Sequence, residues 1–165
     1  MATENSNIVG SNRINPIQFE VVRSALTQVA EEMAAALRRS AYSTNVKTRQ
    51  DFSCAFFDRD CRPISQAFTQ PVHLGSFVEL IPTSVKTYGA ENLGLGDMLV
   101  VNNPFGGGSH LNDVTVFGPV HHNGELVGYV ASLAHHVDVG GGAPASIGPF
   151  QEIFQEGVII PPVKL

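Results

Sequence analysis

The sequence has few charged residues, only two cysteines and no tryptophan. Asp, Glu, Lys and Arg make up 15% of the 165 residues, whereas hydrophobic residues make up 43%, so disorder is not expected. The low charge predicts instead that much of the surface is buried against something else. A net charge of −5, without a block of basic residues, argues against nucleic acid or an acidic membrane as the main partner.

Segments for membrane insertion and secretion are also lacking. No apolar run is long enough to cross a bilayer, and Met1 to Gly10 has neither the basic start nor the apolar core of a secretory signal. Cys54 and Cys61 would not face each other in a hairpin of strands 53–58 and 63–68, so we expect free thiols and a reducing compartment. These features predict a cytoplasmic protein.

The spacing of apolar residues predicts an α+β fold, with a long N-terminal helix and a mostly antiparallel sheet with hairpins. Residues 1–14 are expected to form a flexible tail. Asn15 is a suitable N-cap, and apolar residues then recur three or four positions apart as far as about Ala41, which is the pattern of one helical stripe. A second helix is expected over about residues 76–88, interrupted or restarted at Pro82.

Asn123-Gly124 predicts a tight hairpin turn between two of the expected strands. The flanking residues, 114–122 and 125–133, should therefore pair antiparallel. This pairing would return the residues that follow position 133 to the end of the sheet at which strand 114–122 begins.

Two segments with three consecutive glycines carry His and Asp residues suited to metal binding. His110 and Asp113 follow Gly106–Gly108, and the sequence His-His-Val-Asp at residues 135–138 precedes Gly140–Gly142. Either motif alone is better explained by a packed core histidine, but the hairpin brings the two motifs to one end of the sheet. Zinc, manganese and iron bind imidazole nitrogens and carboxylates. The pair of motifs therefore predicts a shared divalent metal site.

Asp51 stands at the entrance of the strand expected over residues 51–57 and is the expected further carboxylate of this site. Its alternative role is an exposed salt bridge with the neighbouring Lys47 or Arg49. The predicted metal ligands are Asp51, His110, Asp113, His135 and His136, and the predicted catalytic residues are His135, His136 and Asp138.

The choice between His135 and His136 as metal ligand depends on the strand that precedes them. Side chains alternate between the two faces of a sheet, and His136 shares the face of Ser132 and Ala134, a small and polar set on which a wet site should open. A strand that ends or bulges at Ala134 would reset the alternation and make His135 the ligand, with His136 as a proton-transfer group. His73, before the second helix, either reaches the cleft or caps that helix.

These motifs resemble those of the hydantoinase B/oxoprolinase family. The family includes the B subunits of N-methylhydantoinases, the matching half of ATP-dependent 5-oxoprolinase, and related subunits of acetone and acetophenone carboxylases. The matching segments are Asn15–Arg23, Arg39–Ser43, Arg49–Ala55, Pro71–Ser76, Asn103–Thr115, Ala134–Gly141 and Glu152–Leu165. Two departures from the family pattern are Asn103, where Asp is usual, and Asn112, where Pro is common.

The resemblance implies one component of a two-component enzyme. A hydantoinase A-like partner subunit would bind ATP and Mg²⁺ and phosphorylate the substrate, and this chain would complete hydrolysis of the activated intermediate near its metal. The implied substrates are small cyclic amides such as hydantoins, lactams or 5-oxoproline, and the implied assembly is a hetero-oligomer. The alternatives are a subunit of a ketone carboxylase of the acetone or acetophenone type, and a non-catalytic module that only holds the partner subunit.

The end of the chain is apolar and rich in proline, and subunits of the family are several times longer. We therefore expect residues 15–165 to be the N-terminal part of a larger hydantoinase B-like domain. Residues 1–165 alone should show no ATP-dependent hydrolysis or carboxylation, because the sequence has no Walker A motif for the nucleotide. Release of ADP and product by the purified 165-residue chain, assayed without a partner, would contradict this expectation.

Overall fold

The computed structural model describes residues 15–165, so the predicted flexible tail, residues 1–14, lies outside the described residues. The helices of the described part are α1 (Pro16–Ser40), α2 (Thr44–Lys47) and α3 (Pro71–Tyr88). The strands are β1 (Phe52–Asp58), β2 (Pro63–Gln66), β3 (Leu99–Val101), β4 (Asp113–His122), β5 (Glu125–His135) and β6 (Val163–Lys164). A long N-terminal helix and one six-stranded sheet confirm the predicted α+β class.

All neighbouring strands of the sheet run antiparallel, in the order β2-β1-β5-β4-β3-β6. Asn123 (φ 51°) and Gly124 (φ 83°) form the turn between β4 and β5. A two-residue turn of this type needs positive φ at both central positions, which Asn-Gly readily supplies. The predicted Asn-Gly hairpin is therefore confirmed. Strand β5 lies inside the sheet, with β1 on one side and β4 on the other.

Helices cover the sheet on both faces. Alternate residues of β1 point to opposite sides, so that Ala55 and Phe57 belong to the core cluster that contains α3, whereas Phe52 and Cys54 pack with α1. The α3 side holds the larger core, built mainly from Phe57, Phe77, Leu80, Ile81, Leu99, Val101, Phe117, Tyr129 and Leu133. The face of the sheet towards α3 is thus the more completely buried one.

Both cysteines are free, as predicted, and both are buried. Cys54 lies in the cluster under α1, and Cys61 lies in the cluster on the α3 side. Burial, followed by the nearby carboxylates of Asp58 and Asp60, raises the pKa of Cys61 to about 11. Since the thiolate is the reactive form of cysteine, this thiol is unreactive at neutral pH.

Helix α3 differs from its prediction. It begins at Pro71 rather than near residue 76, and it continues through Pro82 without a break. Proline is well tolerated in the first turn of a helix, where its missing N–H has no intrahelical partner in any case. Val78, whose carbonyl would otherwise bond to residue 82, is 55% exposed, so water can reach this part of the helix. The earlier start places His73 in the first turn of α3.

The N-terminal half of α1 carries apolar side chains that nothing in the described part of the chain covers. Ile17, Phe19 and Val22 are 74%, 54% and 56% exposed, whereas the buried residues of the helix, Ala30 and Ala34, lie in its second half. The low charge of the sequence predicted that part of the surface is buried against another surface, and this half of α1 is a candidate for that part. No helix among residues 15–165 is long and apolar enough to cross a membrane.

Asn102 connects the end of β3 to two other segments. It is fully buried, and its side-chain amide donates to the carbonyl oxygens of Leu111 at 2.8 Å and Val158 at 2.9 Å. Its Oδ1 accepts from the backbone N–H of Ile160 at 2.6 Å. Leu111 lies two residues before β4, at the end of the glycine-rich loop. Asn102 therefore holds this loop and the C-terminal segment together.

Replacing Asn102 by Ala should therefore be strongly destabilising. Three backbone groups lose their partner, and each such loss costs about 1–3 kcal/mol when the group is buried. We expect the free energy of unfolding, measured by urea denaturation, to fall by at least about 3 kcal/mol. Asn92→Ala is the matched control, because it removes one exposed hydrogen bond to Tyr88. Equal losses in the two variants would show that Asn102 has no special role.

Candidate metal centre

The candidate site lies at one end of the sheet, where β4 begins and β5 ends. Because the two strands are antiparallel, Asp113, the first residue of β4, pairs with His135, the last residue of β5. Asp51 directly precedes β1, and its carbonyl accepts a hydrogen bond from the N–H of His135 at 3.0 Å. His110 is tied to the start of β4, because its carbonyl accepts from the N–H of Asp113 at 3.1 Å.

Three side chains of this end point their donor atoms at one another. His110 Nε2 lies 3.2 Å from Asp113 Oδ1, His135 Nδ1 lies 3.1 Å from the same oxygen, and the two nitrogens are 3.1 Å apart. Neighbouring ligands of one metal ion with bonds of about 2.0–2.2 Å lie about 3.0–3.5 Å apart. His110, Asp113 and His135 therefore form a group with the composition and spacing to hold a metal ion.

The electrostatics of this group also suit a cation. Asp113 is only 4% exposed. Burial alone would raise the pKa of its carboxyl group, but hydrogen bonds with His110 and Ser109 outweigh that effect and lower the pKa to about 2. The same bond raises the pKa of His110. Asp113 is thus a buried anion at neutral pH, and a buried anion requires a positive partner.

His73 and Asp51 extend the group on the other side of Asp113. His73 Nε2 lies 3.5 Å from Asp51 Oδ1 and 3.7 Å from Asp113 Oδ2. Its Nδ1 lies 3.2 Å from Ser53 Oγ, and Ser109 Oγ donates to Asp113 Oδ2. Of the two roles that the sequence allows for His73, the structure favours the first, since the ring lies against the carboxylates of the candidate site. The serines carry no recognisable sequence signal.

The two glycine-rich segments allow close backbone approach. At Gly107, where φ is 100°, a Cβ atom would lie 2.6 Å from the backbone nitrogen of Leu80 in α3. At Gly141, a Cβ atom would collide with the carbonyl oxygen of Glu156. The first segment therefore packs directly on α3 and the second on the C-terminal segment, and both neighbours leave room only for glycine.

His136 and Asp138 lie outside the group formed by His110, Asp113 and His135. Both side chains are exposed, and Asp138 Oδ1 accepts from the N–H of Gly140 at 2.8 Å. Beyond the end of β5, the N–H of His136 donates to the carbonyl of Asn112 at 2.7 Å, and the Asn112 side chain returns a bond of 2.8 Å to the His136 carbonyl. This reciprocal pair continues the strand pairing by one residue.

The arrangement favours the face of His135, rather than the face of His136 preferred from the sequence, for the candidate site. The alternation of side chains holds, but Ala134, on the face assigned to the site, packs in the cluster under α1. His135 instead follows Leu133 on the face that α3 covers, and its side chain is 13% exposed. Sequence alternation alone does not reveal which face a helix covers.

The fold and the donor atoms define the class: an α+β protein with a candidate metal-binding group at one end of an antiparallel sheet. Residues 15–165 match the family model described as hydantoinase B/oxoprolinase. The chain belongs to this family. Among curated relatives, it is 42% identical to 5-oxoprolinase 1 of Arabidopsis thaliana over 95% of this chain and 12% of that protein.

Two solved structures share the fold. The crystal structure of ATP-dependent caprolactamase from Pseudomonas jessenii superimposes with a TM-score of 0.77 at 35% identity, covering 93% of this chain and 27% of that one. The nucleotide-free structure of acetone carboxylase has a TM-score of 0.81 at 22% identity, covering 91% and 20%. The second likeness shows the fold alone. The chain spans about a quarter or less of the length of these proteins.

The geometry predicts that the two adjacent histidines differ in metal binding. His135→Ala should strongly reduce the content of divalent metal after purification, because it removes one of three converging donors, whereas His136→Ala should retain metal. Elemental analysis of the full chain checks both variants. Loss of metal only in the His136 variant would show that the site lies on the other face of β5.

Proposed function

We propose that this chain supplies the metal-binding part of an ATP-dependent enzyme that hydrolyses cyclic amides such as hydantoins, lactams or 5-oxoproline. The observation that carries the proposal is the group of His110, Asp113 and His135, whose donor atoms lie 3.1–3.2 Å apart. The names of the relatives supply the substrate class, since they include 5-oxoprolinases and the beta subunit of a caprolactamase.

The proposed ligands are Asp51, His110, Asp113 and His135, and the donor set of imidazole and carboxylate fits zinc, manganese or iron. When bound, such an ion supplies Lewis-acid polarisation of a carbonyl oxygen and lowers the pKa of water. The chain itself contributes the buried negative charge of Asp113. His135 is fixed by its backbone bond to Asp51 and by its pairing with Asp113.

His136 is proposed as a proton-transfer group at the edge of this site. It is exposed and follows directly on His135. Partial desolvation and the neighbouring His135 lower the pKa of His136, so its imidazole is neutral and able to accept a proton at neutral pH. The catalytic role predicted for Asp138 stays a prediction. Its carboxylate accepts a hydrogen bond from the N–H of Gly140, which is a local structural contact and does not support that role.

The partner in this proposal is a hydantoinase A-like subunit that binds ATP and Mg²⁺ and phosphorylates the amide. Two observations support a partner. A relative 37% identical to this chain is named caprolactamase subunit beta, and the described residues of α1 expose an apolar face. Ketone carboxylation is the weaker candidate, because the likeness to acetone carboxylase at 22% identity is a likeness of fold only.

The double variant His110→Ala/Asp113→Ala tests the proposal in the full chain expressed with its partner. It should lose metal, and ATP-dependent lactam hydrolysis should fall by more than about 100-fold, since even residues that only support metal ligands typically contribute about 10–100-fold. Metal is measured by elemental analysis and hydrolysis by release of the amino acid product.

His122→Ala is the matched control for this experiment. His122 is exposed and lies at the opposite end of β4, next to the hairpin turn, so its loss should leave metal content and turnover unchanged. Equal metal in the wild type and the double variant would place the metal site elsewhere.

A further inference from the structure

His73 is a buried histidine that stands between two carboxylates from different strands. It is 2% exposed, and it reaches the sheet from the first turn of α3. Asp51 precedes β1 and Asp113 begins β4. Among residues 15–165, His73 is the one basic side chain within 4.0 Å of carboxylate oxygens of both Asp51 and Asp113.

The hydrogen-bonding partners of the His73 ring define its tautomer. Ser53 Oγ has a single proton and two acceptors in reach, the carbonyl of Gln70 at 2.9 Å and His73 Nδ1 at 3.2 Å. On the other side of the ring, two carboxylate oxygens face Nε2. A bare Nε2 lone pair would be repelled by both of them, so the favoured tautomer carries its proton on Nε2, and Nδ1 shares the Ser53 proton with the carbonyl of Gln70.

The two carboxylate oxygens of Asp113 face different groups. Oδ1 faces His110 and His135, whereas Oδ2 accepts from Ser109 and faces His73. Groups that bind the outer oxygen of a ligating carboxylate fix the direction of its inner oxygen. His73 adds a second effect, because its N–H lies between Asp51 and Asp113 and offsets the repulsion of two like charges in a buried site.

We propose that His73 is a positioning residue that holds the carboxylates of Asp51 and Asp113 in the orientation that binds a divalent metal. The inference rests on the proposed function, since it assigns the metal to the group that contains Asp113. It differs from a packing role, because the feature that matters is the N–H at the Nε2 position and not the volume of the ring.

Two substitutions separate these roles. His73→Leu keeps an apolar side chain of similar volume but removes the donor, and His73→Gln places an amide N–H₂ near the position of Nε2. Zinc titrated into the metal-free full chain by calorimetry should bind about 10–100-fold more weakly to the Leu variant, whereas the Gln variant should recover most of the affinity. The proposal would be overturned if the Leu variant bound zinc as tightly as the wild type. It would also be overturned if the Leu variant bound zinc more tightly than the Gln variant.

X-ray absorption spectroscopy of the zinc-loaded full chain tests whether His73 is itself a ligand. The number of imidazole ligands should be the same in the wild type and in His73→Gln. Loss of one imidazole in the Gln variant would show that His73 binds the metal directly, which also overturns the positioning role.

Ser53→Ala and the double variant His110→Ala/Asp113→Ala complete the design. If the His73 variants do not fold, as judged by circular dichroism, Ser53→Ala carries the test, since it removes only the hydroxyl that sets the tautomer. It should weaken zinc binding by up to about 10-fold, and unchanged binding would overturn the proposal.

The double variant separates the two proposals. If it still binds zinc, the metal site itself is refuted. If it loses zinc binding while His73→Leu binds zinc normally, only the positioning role is refuted.

Discussion

The antiparallel register of β4 and β5 is the constraint on which the candidate site depends. It pairs Asp113 with His135 at the end of the sheet farthest from the Asn123-Gly124 turn. A slip by one residue would move every side chain of one strand to the opposite face, and Asp113 would then face the layer under α1. Next to the tight turn His121 pairs with Leu126, and a register shift between Val120 and His121 then brings Asp113 opposite His135. The reciprocal bonds between Asn112 and His136 hold that register at the site.

Close packing of α3 against the glycine-rich loop completes the site. Gly107 allows the loop to approach the backbone of α3 at Leu80, and the same helix brings His73 to the carboxylates at its first turn. The loop that carries His110 and the helix that carries His73 therefore hold each other in place. Asn102 adds a third connection, to the C-terminal segment. The side chains of the candidate metal site come from separate segments, and the packing between those segments sets their distances.

Chemistry and ancestry support the same function by independent routes. The donor set of two histidines and a buried carboxylate is one that proteins use for catalytic metals, with positions left open for water or substrate. Membership of the hydantoinase B/oxoprolinase family, with relatives named as 5-oxoprolinases and a caprolactamase subunit, is the source of the substrate class in the proposed function. The exposed apolar half of α1 is the part of the described surface most suited to contact another component.

Local sequence signals determined the α+β class, the long helix from Asn15, the hairpin at Asn123-Gly124, and the convergence of His110 and Asp113 with the second motif. These follow from periodicity and turn chemistry, which act over a few residues. The tertiary structure alone decided that His135 faces Asp113, because that depends on which face of β5 each helix covers. It also decided that α3 begins at Pro71 and carries His73 into the site, since the burial of His73 against the sheet depends on residues distant in the sequence.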